Sequence, residues 1–226
     1  MQSFGYYAKR LGQGTATMFK RLPFAFYILA HPFNGFYELK NDPRRHNLPG
    51  AVFLFFVLAV TAIMKRQLTG YLFTTPFAQL NLNVPYEIMV AVLPFLMFIV
   101  ANWCFTSLMD GDGKFRDIFT ATAYATLPLS ICNLLAIPLS NFVTLSESGV
   151  YNFIVGFGYV WCYAMVFLGM LVTHQYTVKK AIATAILSIV GMAVIAFIIV
   201  LIAFLVQQVT SFIYQLYTEI SFRLNE

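Results

Sequence analysis

The chain has 226 residues, of which 60% are apolar and only 10% charged, and its mean hydropathy is +0.75. A soluble domain carries about a quarter charged residues, so this chain lacks the polar groups to cover a water-facing surface, and its solvent is a bilayer. With 13 Gly, 9 Pro and 3 Cys it is also neither disordered, collagen-like nor a disulfide scaffold, and its net charge of +5 matters for where the cations fall along the chain.

The first ten residues lack the apolar core of a signal peptide, so the N-terminus is expected to stay attached. From Met18 to Asn41 the chain is aromatic and basic, and PFNGFYELK spaces Phe33, Phe36 and Tyr37 at i, i+3 and i+4 behind Pro32. That pattern predicts a short helix lying in the membrane interface on those three rings, with Lys20, Arg21, Lys40, Arg44 and Arg45 attracting anionic lipid at about 1 kcal/mol each. Five long apolar stretches then have the roughly 20 residues that a hydrocarbon core of about 30 Å requires. They run over Leu48–Met64 (stopped by Lys65 and Arg66), Tyr86–Met109, Ile118–Pro138 with Pro128 in mid-span, Gly149–Thr173 and Ala181–Val206. The polar, proline-bearing stretch Gln67–Pro85 reads as a loop. After Val206, residues Val209, Phe212, Ile213, Leu216, Tyr217 and Ile220 keep helical spacing opposite Gln208, Ser211, Gln215, Thr218 and Glu219, predicting an amphipathic helix on the far surface or a coiled contact with a partner.

Placing the N-terminus inside puts eleven of the fourteen Lys and Arg in cytoplasmic segments, leaving Lys65, Arg66 and Arg223 for the other side. Lys65 and Arg66 would then extend their stems to the headgroups. The fold expected is an all-α integral membrane protein with five transmembrane helices, N-in and C-out: a cytoplasmic segment 1–47 with its inner interfacial helix, a membrane domain 48–206 and an amphipathic C-terminal extension 207–226.

The tight turn between the second and third spans reads Asp110-Gly111-Asp112-Gly113-Lys114-Phe115-Arg116-Asp117. As a calcium loop it would need an oxygen ligand and a glycine where Lys114 and Phe115 stand. As the aspartate motif of enzymes that transfer CDP-linked phosphoalcohols it would need a second aspartate pair further along, yet no carboxylate follows Asp117 until Glu147. A hydrated glycine turn is the remaining reading. His31, His46 and His174 are all placed outside the spans, and no serine nucleophile motif or intramembrane acidic pair is present, so neither a metal nor a cofactor is expected, and no catalytic residues. Cys104, Cys132 and Cys162 fall at different depths and read as small buried apolar residues. Asn102 and Tyr124 sit about 10 and 9 Å from the inner ends of neighbouring helices, which predicts a hydrogen bond from Asn102 to Tyr124 or Thr122, with Asn133 as a further intramembrane polar group. Ala181, Thr184, Ala185, Ser188 and Gly191 form a small-residue stripe for close packing, inside the bundle or against another copy of the chain.

The segments HPFNGFYELK (His31–Lys40), ANWCFTSLMDGDGKFRDIFTATAYATLP (Ala101–Pro128), Leu139-Ser140-Asn141 ahead of Glu147, and HQYTVKK (His174–Lys180) resemble the Yip1-domain family, and its bacterial branch more closely. For eukaryotic members the resemblance implies early secretory traffic and contact with prenylated GTPases. For bacterial members it implies an accessory or assembly role in the plasma membrane, in some cases beside ABC-transporter components. The function expected is a non-enzymatic scaffold that binds a membrane partner, with an ABC-transporter subunit as the implied one. The expected partner face is cytoplasmic: Asp110, Asp112, Lys114, Arg116, Asp117, His174, Lys179 and Lys180. The alternative is a small-solute or lipid permease, with Asn102, Thr122 and Asn133 lining one hydrated cavity. The lipid bilayer is a partner on either reading, nucleic acid on neither.

Overall fold

The computed structural model describes residues 22–42, 48–73, 82–106 and 108–224, and among these the chain is helical without strands. A helical hairpin comes first: α1 (Leu22–Ala30) and α2 (Pro32–Asn41), joined at His31. Pro32 sits in the first turn of α2, where its missing N–H costs nothing. Only the second of these helices is foreseen from the sequence pattern. Gly35 is what lets the hairpin close, because a Cβ there would lie 2.8 Å from the Ile28 backbone.

Among the described residues, five segments are long and apolar enough to cross a membrane. The first, α3 (Leu48–Leu68), continues one turn beyond its expected end and carries Lys65 and Arg66 within it. Its terminal carbonyls are satisfied by neighbours: Thr69 Oγ1 donates to the Lys65 carbonyl and Asn141 Nδ2 to the Leu68 carbonyl at 3.1 Å, while the Gly70 N–H donates to Ser140 Oγ at 2.9 Å. The Ser140-Asn141 pair therefore ties the end of α3 to another span.

The second span, α4 (Val84–Thr106), opens with Asn83 Oδ1 accepting the Tyr86 N–H at 3.2 Å. The third is two helices, α5 (Phe115–Ala125) and α6 (Leu127–Phe142), where one was expected. They part at Thr126, because Pro128 has no N–H for the Tyr124 carbonyl and its ring would collide with that oxygen. Thr126 turns its own hydroxyl back onto the Ala123 carbonyl at 2.8 Å. The fourth span, α7 (Ser148–His174), stops at Gln175, whose φ of 55° is left-handed.

The last helix, α8 (Val178–Leu224), is one uninterrupted element of 47 residues, about 70 Å at 1.5 Å per residue. The tail is helical as its spacing predicts and continues the last span with no intervening turn.

The buried core lies where α3, α5, α6 and α7 meet, with α2 docked on α7 and α8 leaning on α4. Gly158 admits Cys132, and Gly169 admits the Phe36 ring, each at a distance that a larger residue would close. The small-residue stripe of α8 serves this internal packing: Ala181, Thr184, Ser188 and Gly191 are buried, and a Cβ on Gly191 would lie 3.2 Å from Ala101 on α4. Beyond Phe197 nearly every residue of α8 is exposed. Cys132 and Cys162 are buried as expected, whereas Cys104 is on the outer surface of the bundle.

Candidate functional site

The glycine turn after α4 and the short link between α7 and α8, over sixty residues apart in sequence, meet at one end of the bundle. His174 joins them. The sequence places it outside the spans; the structure puts it in the last turn of α7, 2% exposed. Its Nε2 lies 2.7 Å from Oδ1 of Asn102, and Asn102 Nδ2 donates to Ser188 Oγ at 3.3 Å. With a carbonyl oxygen opposite, Nε2 must carry the proton and donate, which leaves Nδ1 as the bare nitrogen of the neutral ring. Nδ1 is sealed from solvent with no hydrogen-bond partner. Three helices are thus pinned through Asn102, and the expected bond from it to Tyr124 or Thr122 does not form. Tyr124 turns the other way, its ring edge-on to Phe24 of α1 at 6.3 Å. Thr122 borders a void of about 10 Å3 shared with Phe98 and His174, barely the room for one water.

The glycines of the turn are required by this imidazole. A Cβ on Gly113 would sit 2.7 Å from His174 Nδ1 and Cε1, and one on Gly111 would collide with the Tyr176 hydroxyl and lie 2.6 Å from Nδ1. Asp110 supplies the reversal with a left-handed φ of 47°, and the Gly111 N–H closes onto the Thr106 carbonyl at 3.0 Å. Across the junction the Tyr176 ring stacks on His174 at 4.9 Å and 14°. Lys180 lies 5.1 Å above the Tyr176 ring and 4.0 Å from Asp110 Oδ2. That ion pair is largely hydrated and worth little; the ring contact adds about 0.5–1 kcal/mol. Burial pushes the Tyr176 hydroxyl above its ordinary value; Thr184 opposes this and the charges of Asp110 and Asp112 reinforce it.

The residues singled out from the sequence divide as follows. Asp110, Asp112, Asp117, His174 and Lys180 are brought together, and the fields of Lys40, Asp117 and Asp112 reach the imidazole. Lys114, Arg116 and Lys179 stand exposed on the same end. Asp117 Oδ2 accepts the Lys114 N–H at 3.0 Å and so caps α5. His174 contributes from beneath and is closed to a partner. Phe33 and Tyr37 are exposed, as an interfacial helix requires, but Phe36 is 1% exposed, sunk between α1 and the Gly169 notch of α7. Phe36 is therefore a packing residue. Lys20, Arg21, Arg44 and Arg45 lie outside the described residues. No group of three or more His, Cys, Asp or Glu able to hold a metal ion occurs among the described residues.

The polar groups expected to line one hydrated cavity do not share one. Asn102 is packed dry, Thr122 faces the small void, and Asn133 borders a different cavity at the opposite end of the bundle. Sequence reasoning missed the ionisable groups beside Asn133, because it ended the first span before Lys65 and Arg66 and gave no role to Glu87 at the start of the second. α3 carries Lys65 and Arg66 inside its last turns, and Arg66 Nε pairs with Oε1 of Glu87 in the first turn of α4 at 3.4 Å.

Fold and site together define an all-helical integral membrane protein whose charged residues gather at the helix ends. The chain belongs to the Yip1 domain family, which matches residues 26–202. That match takes in the glycine turn, the His174 junction and the core, and stops within α8. No curated protein and no solved structure matches the chain.

Proposed function

We propose that this protein is a non-enzymatic scaffold in a bacterial plasma membrane, binding a membrane partner through the face built from the Asp110–Asp117 turn and the His174–Lys180 link. One observation carries this reading. A buried hydrogen-bonded histidine and two obligatory glycines hold an exposed turn and link in fixed register, and Asp112, Lys114 and Lys179 project from them. Rigid support beneath a mixed-charge rim lowers the ordering cost of docking and gives electrostatic selectivity. An ABC-transporter subunit is the partner that the family resemblance implies, and the distribution of Lys and Arg supports a cytoplasmic position for this face.

Lys114→Glu combined with Arg116→Glu leaves insertion intact and lowers recovery of the co-purifying membrane partner from mild detergent. Unchanged recovery removes this face from consideration. The orientation is tested separately, with cysteines at Ala78 and Asp112 in a background lacking the three native thiols. An impermeant thiol reagent labels the first in intact cells and the second only after lysis; the opposite pattern inverts the topology.

A further inference from the structure

At the end of the bundle away from the glycine turn, α3, α4, α6 and α7 enclose a cavity of about 280 Å3. Along α7 it extends from Tyr151 to Tyr163, twelve residues or about 18 Å of rise. α3 packs on α4 and α6 packs on α7, but α4 and α7 share no packed seam. Of its exposed lining residues, Val90, Pro94, Tyr159 and Tyr163 belong to those two helices and Arg66 lies at the end of α3, so the mouth opens sideways between α4 and α7 and reaches the rim of the bundle at Arg66.

Two chemistries line the space. Leu58, Phe95 and Leu129 make an apolar floor and wall, while Lys65, Arg66, Glu87, Asn133 and the tyrosines make the rest polar. Arg66 and Glu87 cancel as an ion pair. Lys65 does not cancel. Its Nζ lies 5.9 Å above the Tyr159 ring, and no carboxylate among the described residues pairs with it. The lining thus carries two cations and one anion, a net charge of +1.

Lys65 is half-buried in the cavity lining with its ammonium over the Tyr159 ring, and the end of α3 that carries it is fixed to α6 through Ser140 and Asn141. A lone cation in a low-dielectric site is costly and calls for an anion. The volume is far more than one water needs and approaches that of small-ligand sites, roughly 300–1,000 Å3.

We propose that this cavity binds an oxyanion carried on an apolar chain. A phospholipid-type phosphate sits against Lys65, Asn133 and Tyr159, and its chain runs over Leu58, Phe95 and Leu129 and leaves between α4 and α7. The site is independent of the partner face at the other end of the bundle.

Native mass spectrometry of the full-length protein in mild detergent with equimolar phosphatidylglycerol and phosphatidylcholine tests the proposal. The wild type retains the anionic lipid over the neutral one by about tenfold, a difference of roughly 1.4 kcal/mol. Lys65→Met brings the ratio close to one, Lys65→Arg preserves it, and Lys114→Met at the opposite end leaves it unchanged. Because Lys65→Met removes an unpaired charge and keeps the stem, loss of folding is not expected; Lys65→Gln provides the same reading if it occurs. Equal retention of both lipids by the wild type, or an unaltered ratio in Lys65→Met and Lys65→Gln, overturns the proposal. Inorganic phosphate that displaces the lipid at matched concentration overturns the amphiphile and assigns the site to a free oxyanion.

Discussion

Replacing Asn102 by leucine tests the junction where it is most exposed to measurement. The substitution keeps the volume but removes both hydrogen bonds of the amide, the 2.7 Å bond from His174 Nε2 and the 3.3 Å bond to Ser188. Bonds of this kind between helices in a bilayer are worth about 0.6 kcal/mol each. His174 then keeps a buried Nε2–H without an acceptor, beside an Nδ1 that already has no partner, and such an orphan costs about 1–3 kcal/mol. The expected loss is therefore about 2–4 kcal/mol, read as the shift in the unfolding midpoint during titration of mixed dodecylmaltoside micelles with dodecyl sulfate. Adding His174→Phe removes the orphan and keeps a ring on Tyr176, so the double variant should fall short of the summed single losses by more than about 1 kcal/mol. A single loss below about 0.5 kcal/mol, or strict additivity, would show that His174 and Asn102 do not act as a pair.

Phe36→Ala should destabilise the protein by about 3–5 kcal/mol through the hole it leaves at Gly169, whereas Phe33→Ala and Tyr37→Ala, on the exposed side of α2, should leave unfolding unchanged; equal effects of all three would return Phe36 to the membrane surface. Gly113→Ala drives a methyl to 2.7 Å from the imidazole and should cost about 1–3 kcal/mol, while Gly156→Ala, with nothing within 4 Å, should stabilise by up to about 1 kcal/mol; the same unfolding titration separates them, and the reverse order contradicts the packing of the turn. Burial holds the Tyr176 hydroxyl in its neutral form above its ordinary value of 10.0, so the folded state keeps a proton that the unfolded state releases. Its stabilising contribution is complete below that value and is lost as the pH rises through the elevated one. Tyr176→Phe should therefore flatten the alkaline limb of the stability profile, and an identical limb in both proteins would show that the hydroxyl is not sealed.

Much of the frame was readable without coordinates. A charge content of 10% and long apolar runs leave few solutions but helices in lipid, and each of the five predicted stretches has its counterpart among the spans. Lysine and proline mark helix ends less well. Lys65 and Arg66 looked like stop signals, yet α3 incorporates them because Glu87 on α4 neutralises Arg66 and Tyr159 on α7 shelters Lys65, neighbours that local sequence does not name. Pro128 announced a disturbance in the third span, and its outcome as two helices is a local consequence of a missing N–H.

The turn and the HQYTVKK link were recognisable as polar, cation-bearing segments, but nothing in their spacing says that they touch. Asn102 had several chemically equal partners within reach at its depth, among them Tyr124 and Thr122. Which one it takes is decided by the rotation of α7, α5 and α8 about their own axes, a quantity that an all-apolar surface leaves almost unmarked in sequence. Phe36 shows the same limit on a smaller scale, since i, i+3, i+4 spacing finds the apolar side of α2 but not which ring meets the Gly169 notch. Residue type and solvent alone thus determined that this chain forms membrane-spanning helices with its charges at their ends. Only tertiary packing decided which polar groups are joined and where a cation stays without a counter-charge, because hydrogen bonds and ion pairs depend on ångström-scale approach between helices far apart in the chain.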